Sequence, residues 1–410
     1  MNPPERQIPA LTVTTTPLDD PGSLLGFLQK DEQLLWSRRG DGIVGVESAL
    51  RLEFSGASRF TDAAAAWRTV AARANVTDPI AGTGTGLVAI GSFAFSDHSA
   101  ATSVLIVPSL VIGRRDGRAW LTRIDSDSSA PAAQEFSVNA GLVFEPGSLS
   151  PGAYLAAVSA GIARIRNDEL SKVVLARDLR GTLPVGADVR AALRALAGGY
   201  PDCWTFAVDG FLGSSPETLV SVRRGTVSAR VLAGSGARGM DVASDQAASV
   251  TLATSAKDQD EHEYAVQSVL AALRPHSRGV TASEVPFTLK LPNLWHLASD
   301  VEGALDDGSS SLDLVAALHP TAAVAGTPTA SALSVIDELE PFDRGRYAGP
   351  VGWVGADGDG EWAIALRCAQ LEPDGAIRAF AGAGIVAESV AEHELAETSM
   401  KFRPIIEAFA

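Results

Sequence analysis

Two pairs of carboxylates stand at helical spacing. Asp258 and Glu261 are three apart in SAKDQDEHEYAV (255–266). Glu394 and Glu397 are three apart near the C-terminus, and Lys401 lies four beyond Glu397. Spacings of three and four put each set on one face of a helix. For any single pair the plain reading is a solvated acidic face. Two pairs from two helices can instead hold a hard cation, and an oxygen donor set favours Mg²⁺ over zinc.

Three other patterns fail on their own chemistry. Gly234-Ser235-Gly236-Ala237-Arg238-Gly239 matches GxGxxG. The following MDVASDQAAS brings no new strand ending in an acid about 20 residues on, which a dinucleotide site needs. In His393-Glu394-Leu395-Ala396-Glu397 a glutamate stands where HExxH requires its second histidine. In Gly213-Ser214-Ser215-Pro216-Glu217 a glutamate replaces the last glycine of GxSxG.

Helices must present the carboxylates, and the pattern supplies them. One is expected from about Lys257 to Leu273, capped by Ser255 and stopped by Pro275. Ser389-Val390-Ala391-Glu392 is a capping-box pattern that opens a C-terminal helix. Further helices are expected over 62–74, 153–168 and 187–197. Strands are expected within 42–54, 86–95, 103–113, 118–124, 171–179, 203–234 and 347–387. Strand-rich stretches with helices between them suggest α+β layers more than strict βαβ alternation.

Composition bounds the function. The 410 residues are 46% hydrophobic and 20% charged, which is globular. The length allows two or three domains or one large one. A net charge of −16 argues against a nucleic-acid partner or an anionic membrane surface. Cys203 and Cys368 form neither a disulfide framework nor a zinc motif. The opening MNPPERQIPALTVTTT lacks the apolar run of a secretion signal, and residues 1–22 read as a frayed tail. The longest apolar stretch, Val104 to Ile112, is broken by Pro108 and too short to span a bilayer. A cytoplasmic protein with reduced thiols is the expectation.

Eight segments, in order over about 230 residues, resemble the chorismate-utilising enzymes: isochorismate, salicylate, anthranilate and aminodeoxychorismate synthases. They are SKVVLARDL (171–179), GSSPETLVSV (213–222), LAGSGARG (232–239), SAKDQDEHEYAV (255–266), NLWHLASDVEG (293–303), ALHPTAAVAGTP (317–328), RGRYAGPVGWVGADGDGEWAIALRCA (344–369) and FAGAGIVAESVAEHELAETSMKF (380–402). Residues 23–150 resemble the family's variable N-terminal part less clearly. The resemblance implies an α+β fold: one catalytic domain over 23–410, of two layered antiparallel sheets flanked by helices, with 151–410 bearing the motifs. It implies an enzyme that takes chorismate and needs Mg²⁺; a monomer is the expectation, since the sequence shows no exposed interface stripe. By position Glu261 and Glu397 look like direct metal ligands, and Asp258 and Glu394 like carboxylates acting through water.

The resemblance also distinguishes members. Lys172 matches the lysine that isochorismate and salicylate synthases use as general base on water. Glu217 matches the acid that protonates the departing C4 hydroxyl. A base must be neutral part of the time, so that role requires Lys172 to fall well below the usual ~10.4. Ala233 stands where aminodeoxychorismate synthases carry a nucleophilic lysine, which closes that covalent route. Arg367 and Tyr347 match residues that meet the enolpyruvyl carboxylate, and Lys401 one that meets a substrate carboxylate. Gly382 and Gly384 would let backbone N–H groups approach closely. His296 either lines the cleft or is a satisfied core histidine. The expectation is an isochorismate synthase, an isomerase. The alternatives are a salicylate synthase that goes on to eliminate pyruvate, an ammonia-using anthranilate-type enzyme, or a binder without activity.

Overall fold

The computed structural model describes residues 8–136, 141–184, 186–291 and 294–410. The chain is α+β: helices flank a large sheet that is antiparallel except where Thr12–Leu18 runs parallel to Asn75–Thr77. The long strand Ser103–Arg115 is the branch point. Asp41–Phe54 pairs along its length, Val88–Ser92 pairs beside its first half, and Arg118–Ile124 beside its second half.

Two arms leave that branch. One runs from Asp41–Phe54 through Leu34–Arg38, Trp204–Val208, Phe211–Ser215, Cys368–Leu371 and Ala376–Ile385 to Lys172–Thr182. The other runs from Val88–Ser92 through Pro350–Gly355, Gly360–Ile364, Thr218–Arg223 and Thr226–Ala237 to Leu294–Leu305. In the first arm, Leu34 and Trp36 are buried in one apolar cluster and Leu35 in another. Successive side chains point to opposite faces, so this strand is covered on both sides. The second cluster also takes in Leu193 of the helix Val189–Gly199 and Phe402 and Phe409 of the helix Ala391–Phe409.

Three expectations change. Residues 12–18 are not a frayed tail but a strand paired with Arg118–Ile124, with Val13 and Thr15 buried at alternate positions. Threonine and valine suit that half-buried pleat; residues 1–7, and Asn293 of the NLWHLASDVEG segment, lie outside the described residues. A helix at Val242–Thr254 was not anticipated. The Asp241 carboxylate accepts from the N–H groups of Ala243 and Ser244, which satisfies its first turn. The C-terminal helix begins at Ala391 after Val390, and the Ser389 hydroxyl accepts instead from the N–H of Val386. The helix Ala256–Leu273 does carry the Ser255 cap.

Candidate active site

The ends of both arms and two helices line a partly open cleft. All twelve residues singled out in the sequence line it. The helix Ala256–Leu273, packed on Thr226–Ala237 and Leu294–Leu305, brings Asp258 and Glu261. The helix Ala391–Phe409, packed on Ala376–Ile385, brings Glu394, Glu397 and Lys401. His393 is exposed on the other face of that helix, beside the buried Glu394.

The two glutamates read as direct ligands are each paired with a lysine. Lys172 Nζ lies 2.5 Å from Glu261 Oε1, and Lys401 Nζ lies 2.6 Å from Glu397 Oε1. Lys401 also donates to the Gly382 carbonyl at 2.9 Å. The glycines have a steric reason. A Cβ on Gly384 would stand 3.0 Å from Lys172 Cε and 3.4 Å from Glu261 Oε1, and one on Gly382 would stand 3.0 Å from the Tyr347 hydroxyl.

Glu217 sits between the strands Phe211–Ser215 and Thr218–Arg223 and is fully buried. Burial pushes its carboxyl up to about 8, against the opposing pull of Lys172, Arg367 and Lys401. It is therefore a protonated acid at neutral pH. His296 lies directly across the strand pair from Ser235, and its Nδ1 is 2.9 Å from the Ser235 hydroxyl. Burial, then the charges of Arg367 and Lys401, push its imidazole down to about 3, so the ring is neutral. Its Nε2 is buried without a partner among the described residues, as is one terminal nitrogen of Arg367. Buried polar atoms are rarely left unpaired, and these two both belong to residues lining the cleft. The cleft-lining reading of His296 is thus the one its position supports. Arg367 adopts φ 49, unusual for a side-chain-bearing residue, and its carbonyl accepts from Ser214 N–H at 3.1 Å. Tyr347 stacks on Phe380 with ring centres 5.3 Å apart, and burial raises its phenol above the ordinary range.

The four carboxylates offer only oxygen, which suits Mg²⁺ in kind. Among the described residues no three His, Cys, Asp or Glu side chains are grouped closely enough to hold an ion by themselves. Mg²⁺ is commonly held by one or two carboxylates, waters and substrate oxygens, so a pair of ligands across a cleft meets its demand.

Sequence reasoning missed Ser235, Phe380 and the buried pair Glu340–Arg344. Ser235 follows Ala233 in LAGSGARG, and only the strand register reveals its partner His296. Arg344 donates to Glu340, to the Val324 carbonyl at 2.9 Å and to the Val174 carbonyl at 2.7 Å, and Val174 and Val324 both line the cleft. Gly234–Gly239 lies largely within the strand Thr226–Ala237, where Gly234 packs against Asp258.

The family described as chorismate binding enzyme matches residues 4–410. Isochorismate synthase DhbC of Bacillus subtilis (strain 168) is 45% identical over 271 residues, 63% of this chain and 68% of that protein. Isochorismate synthase EntC of Escherichia coli (strain K12) is 37% identical over 257 residues, 62% of this chain and 66% of that protein. The solved structure of MenF, the menaquinone-specific isochorismate synthase from Escherichia coli, matches with a TM-score of 0.80 at 25% identity, covering 99% of this chain and 97% of that one. With a match across almost its whole length, the chain belongs to the chorismate binding enzyme family.

Proposed function

We propose that this chain is a Mg²⁺-dependent isochorismate synthase, an isomerase that converts chorismate to isochorismate. The observation that carries the reading is one cleft holding Lys172, a buried Glu217 whose carboxyl is pushed up by that burial, and Ala233 where an attacking lysine would otherwise stand. Water adds at C2 of the ring, and Lys172 takes its proton. The ring diene shifts, the C4–oxygen bond breaks, and Glu217 gives its proton to the departing hydroxyl, which leaves as water. One water enters and one departs, so the net change is isomerisation.

Lys172 Nζ contacts Glu261 Oε1, so it would turn from that carboxylate to reach the attacking water. Glu261 and Glu397 would hold Mg²⁺, with Asp258 and Glu394 acting through water, and the ion would neutralise the ring carboxylate. Arg367 would pair bidentately with the enolpyruvyl carboxylate, with the Tyr347 hydroxyl donating to the same group. Lys401 adds positive charge beside it. Neutral His296 and Gly382 complete the wall.

The test is product analysis from chorismate plus Mg²⁺. Isochorismate with little pyruvate is expected. Stoichiometric pyruvate and salicylate near neutral pH would overturn the reading in favour of a salicylate synthase. Fluorescent anthranilate on addition of ammonium salts would favour the ammonia-using class.

A further inference from the structure

The strand Lys172–Thr182 begins at Lys172, and one of its edges is thinly covered. Ala376–Ile385 pairs along the other edge from Val173 to Thr182. On the thin edge the strand Gly326–Thr327 pairs only with Val173 and Lys172, and Glu145–Pro146 only with Arg180 and Leu179. Among the described residues no strand covers that edge between them.

Side chains bridge the gap. Val174 N–H donates to the Ala325 carbonyl at 2.9 Å, just beyond the short strand. The Val174 carbonyl then accepts from Arg344 at 2.7 Å, and Ala176 N–H donates to Glu340 Oε1 at 2.7 Å. Arg344 bonds both oxygens of Glu340, at 2.6 and 2.8 Å, and gives its remaining nitrogen to the Val324 carbonyl at 2.9 Å. Both side chains are buried. The pair thus occupies the place of a missing length of strand.

A buried ion pair is weak evidence for stability, because apolar residues of the same volume often serve as well. Here an apolar pair would leave the Val174 carbonyl, the Ala176 N–H and the Val324 carbonyl unpaired in the interior, which buried backbone groups rarely tolerate. The bonds of the pair run to two segments that converge on Lys172. One is its own strand, two and four residues on. The other is the cleft wall at Val324, three residues before Thr327, which stands opposite Lys172. The Arg344 carbonyl also accepts from Tyr347 N–H at 3.0 Å, so the same device reaches a third cleft residue. A planar guanidinium fixes the spacing and direction of its partners more tightly than an ammonium can.

We propose, on the reading of Lys172 as the general base, that Glu340 and Arg344 are positioning residues for it. The pair sets the separation of Val174 from Val324, and with it the line along which Lys172 meets the attacking water.

Steady-state kinetics with chorismate and Mg²⁺ on Arg344→Lys and Glu340→Gln, run beside Lys172→Ala, test this. Arg344→Lys keeps the charge and loses the fork. Glu340→Gln keeps the shape and an oxygen for Ala176 N–H but removes the countercharge of Arg344. With kcat corrected for the folded fraction read from thermal melting, each should lower kcat about tenfold or more and change KM less than about threefold. Either variant carries the test if the other is unfolded. An unchanged kcat in a folded variant, or a rise in KM as large as the fall in kcat, would overturn the proposal. Unfolding of both variants would also overturn it, since the pair would then be a requirement of the fold and not a positioning device. Near-parental turnover of Lys172→Ala would remove the base reading itself. Loss of turnover there with unchanged kcat in both pair variants would overturn the positioning role alone.

Discussion

Glu217 and Lys172 divide the proposed chemistry between a buried acid and a lysine near a metal-type carboxylate. The raised pKa of Glu217, about 8, has two consequences of opposite sign. For catalysis the protonated form is the useful one, so turnover should decline as pH rises through about 8. Glu217→Gln should lower kcat by about 10²–10⁴ and abolish that alkaline limb, read from pH–rate profiles. For stability, a group whose folded pKa lies above its ordinary value contributes fully below that ordinary value. The contribution is lost as pH rises through the folded pKa. Glu217→Gln should therefore be more stable than the parent at pH 8, by more than about 1 kcal/mol, with the difference shrinking toward pH 4.5. A variant that keeps both turnover and the limb would remove the acid assignment. Lys172→Ala should lose water addition, about 10² or more in kcat, while still binding chorismate by calorimetry. Near-parental turnover would refute the base. The residue types and spacings of both carboxylate pairs were legible in the sequence. Glu217's burial was not, because nothing in GSSPET marks a turn residue as fully enclosed.

Elements place these side chains, and their legibility follows their physics. The helices at 256–273 and 391–409 announce themselves by acids at i and i+3 and by apolar spacing. The helix Val242–Thr254 does not, because only Asp245 and Leu252 of it are buried and no apolar stripe exists to read. Its signal is the cap at Asp241. Pro108 interrupts an apolar run, yet the strand continues through it. The ladder shifts register between Ser48 and Leu50 on the partner strand opposite, which accommodates a residue without an N–H. Strand register also explains the AGAG segment. Gly384 stands opposite Val174, two residues past Lys172, so its missing side chain leaves room for the Lys172 stem. Gly384→Ala should change stability by less than about 1 kcal/mol, since its φ lies outside the left-handed region and alanine fits a strand better than glycine. It should nevertheless lower kcat about tenfold or more by displacing Lys172 from its line of attack, with KM for chorismate little changed. Parallel kcat and melting measurements check this. Unaltered kcat would show that Lys172 has slack.

At the scale of the whole molecule, the two arms must hold their separation for the cleft to exist, and one buried carboxylate ties them together. Glu361 is fully buried. It accepts from Trp36 on the first arm at 3.2 Å, from Trp353 on the second at 3.1 Å, from Arg115 on the shared strand at 3.0 and 2.8 Å, and from Arg223. Burial alone would raise its pKa, but Arg115 and Arg223 win and hold it at about 2. A folded pKa below the ordinary 4.5 means the stabilisation is present above about 4.5 and is lost as pH falls toward 2. Glu361→Gln keeps the shape but leaves buried Arg115 without its counterion, so it should cost about 3–5 kcal/mol at pH 7. The gap from the parent should narrow in denaturant titrations at pH 3, because the parent has by then lost part of what the variant lacks. A gap equal at pH 7 and pH 3 would show that packing, not charge, holds the arms. The net charge of −16 gives no hint of this hub, since a sum over 49 acids and 33 bases cannot say which single acid is buried among arginines. The same sum conceals the positive groups of the cleft. An acidic protein can therefore receive an anionic substrate where Lys172, Arg367 and Lys401 converge and where a bound cation would add to them.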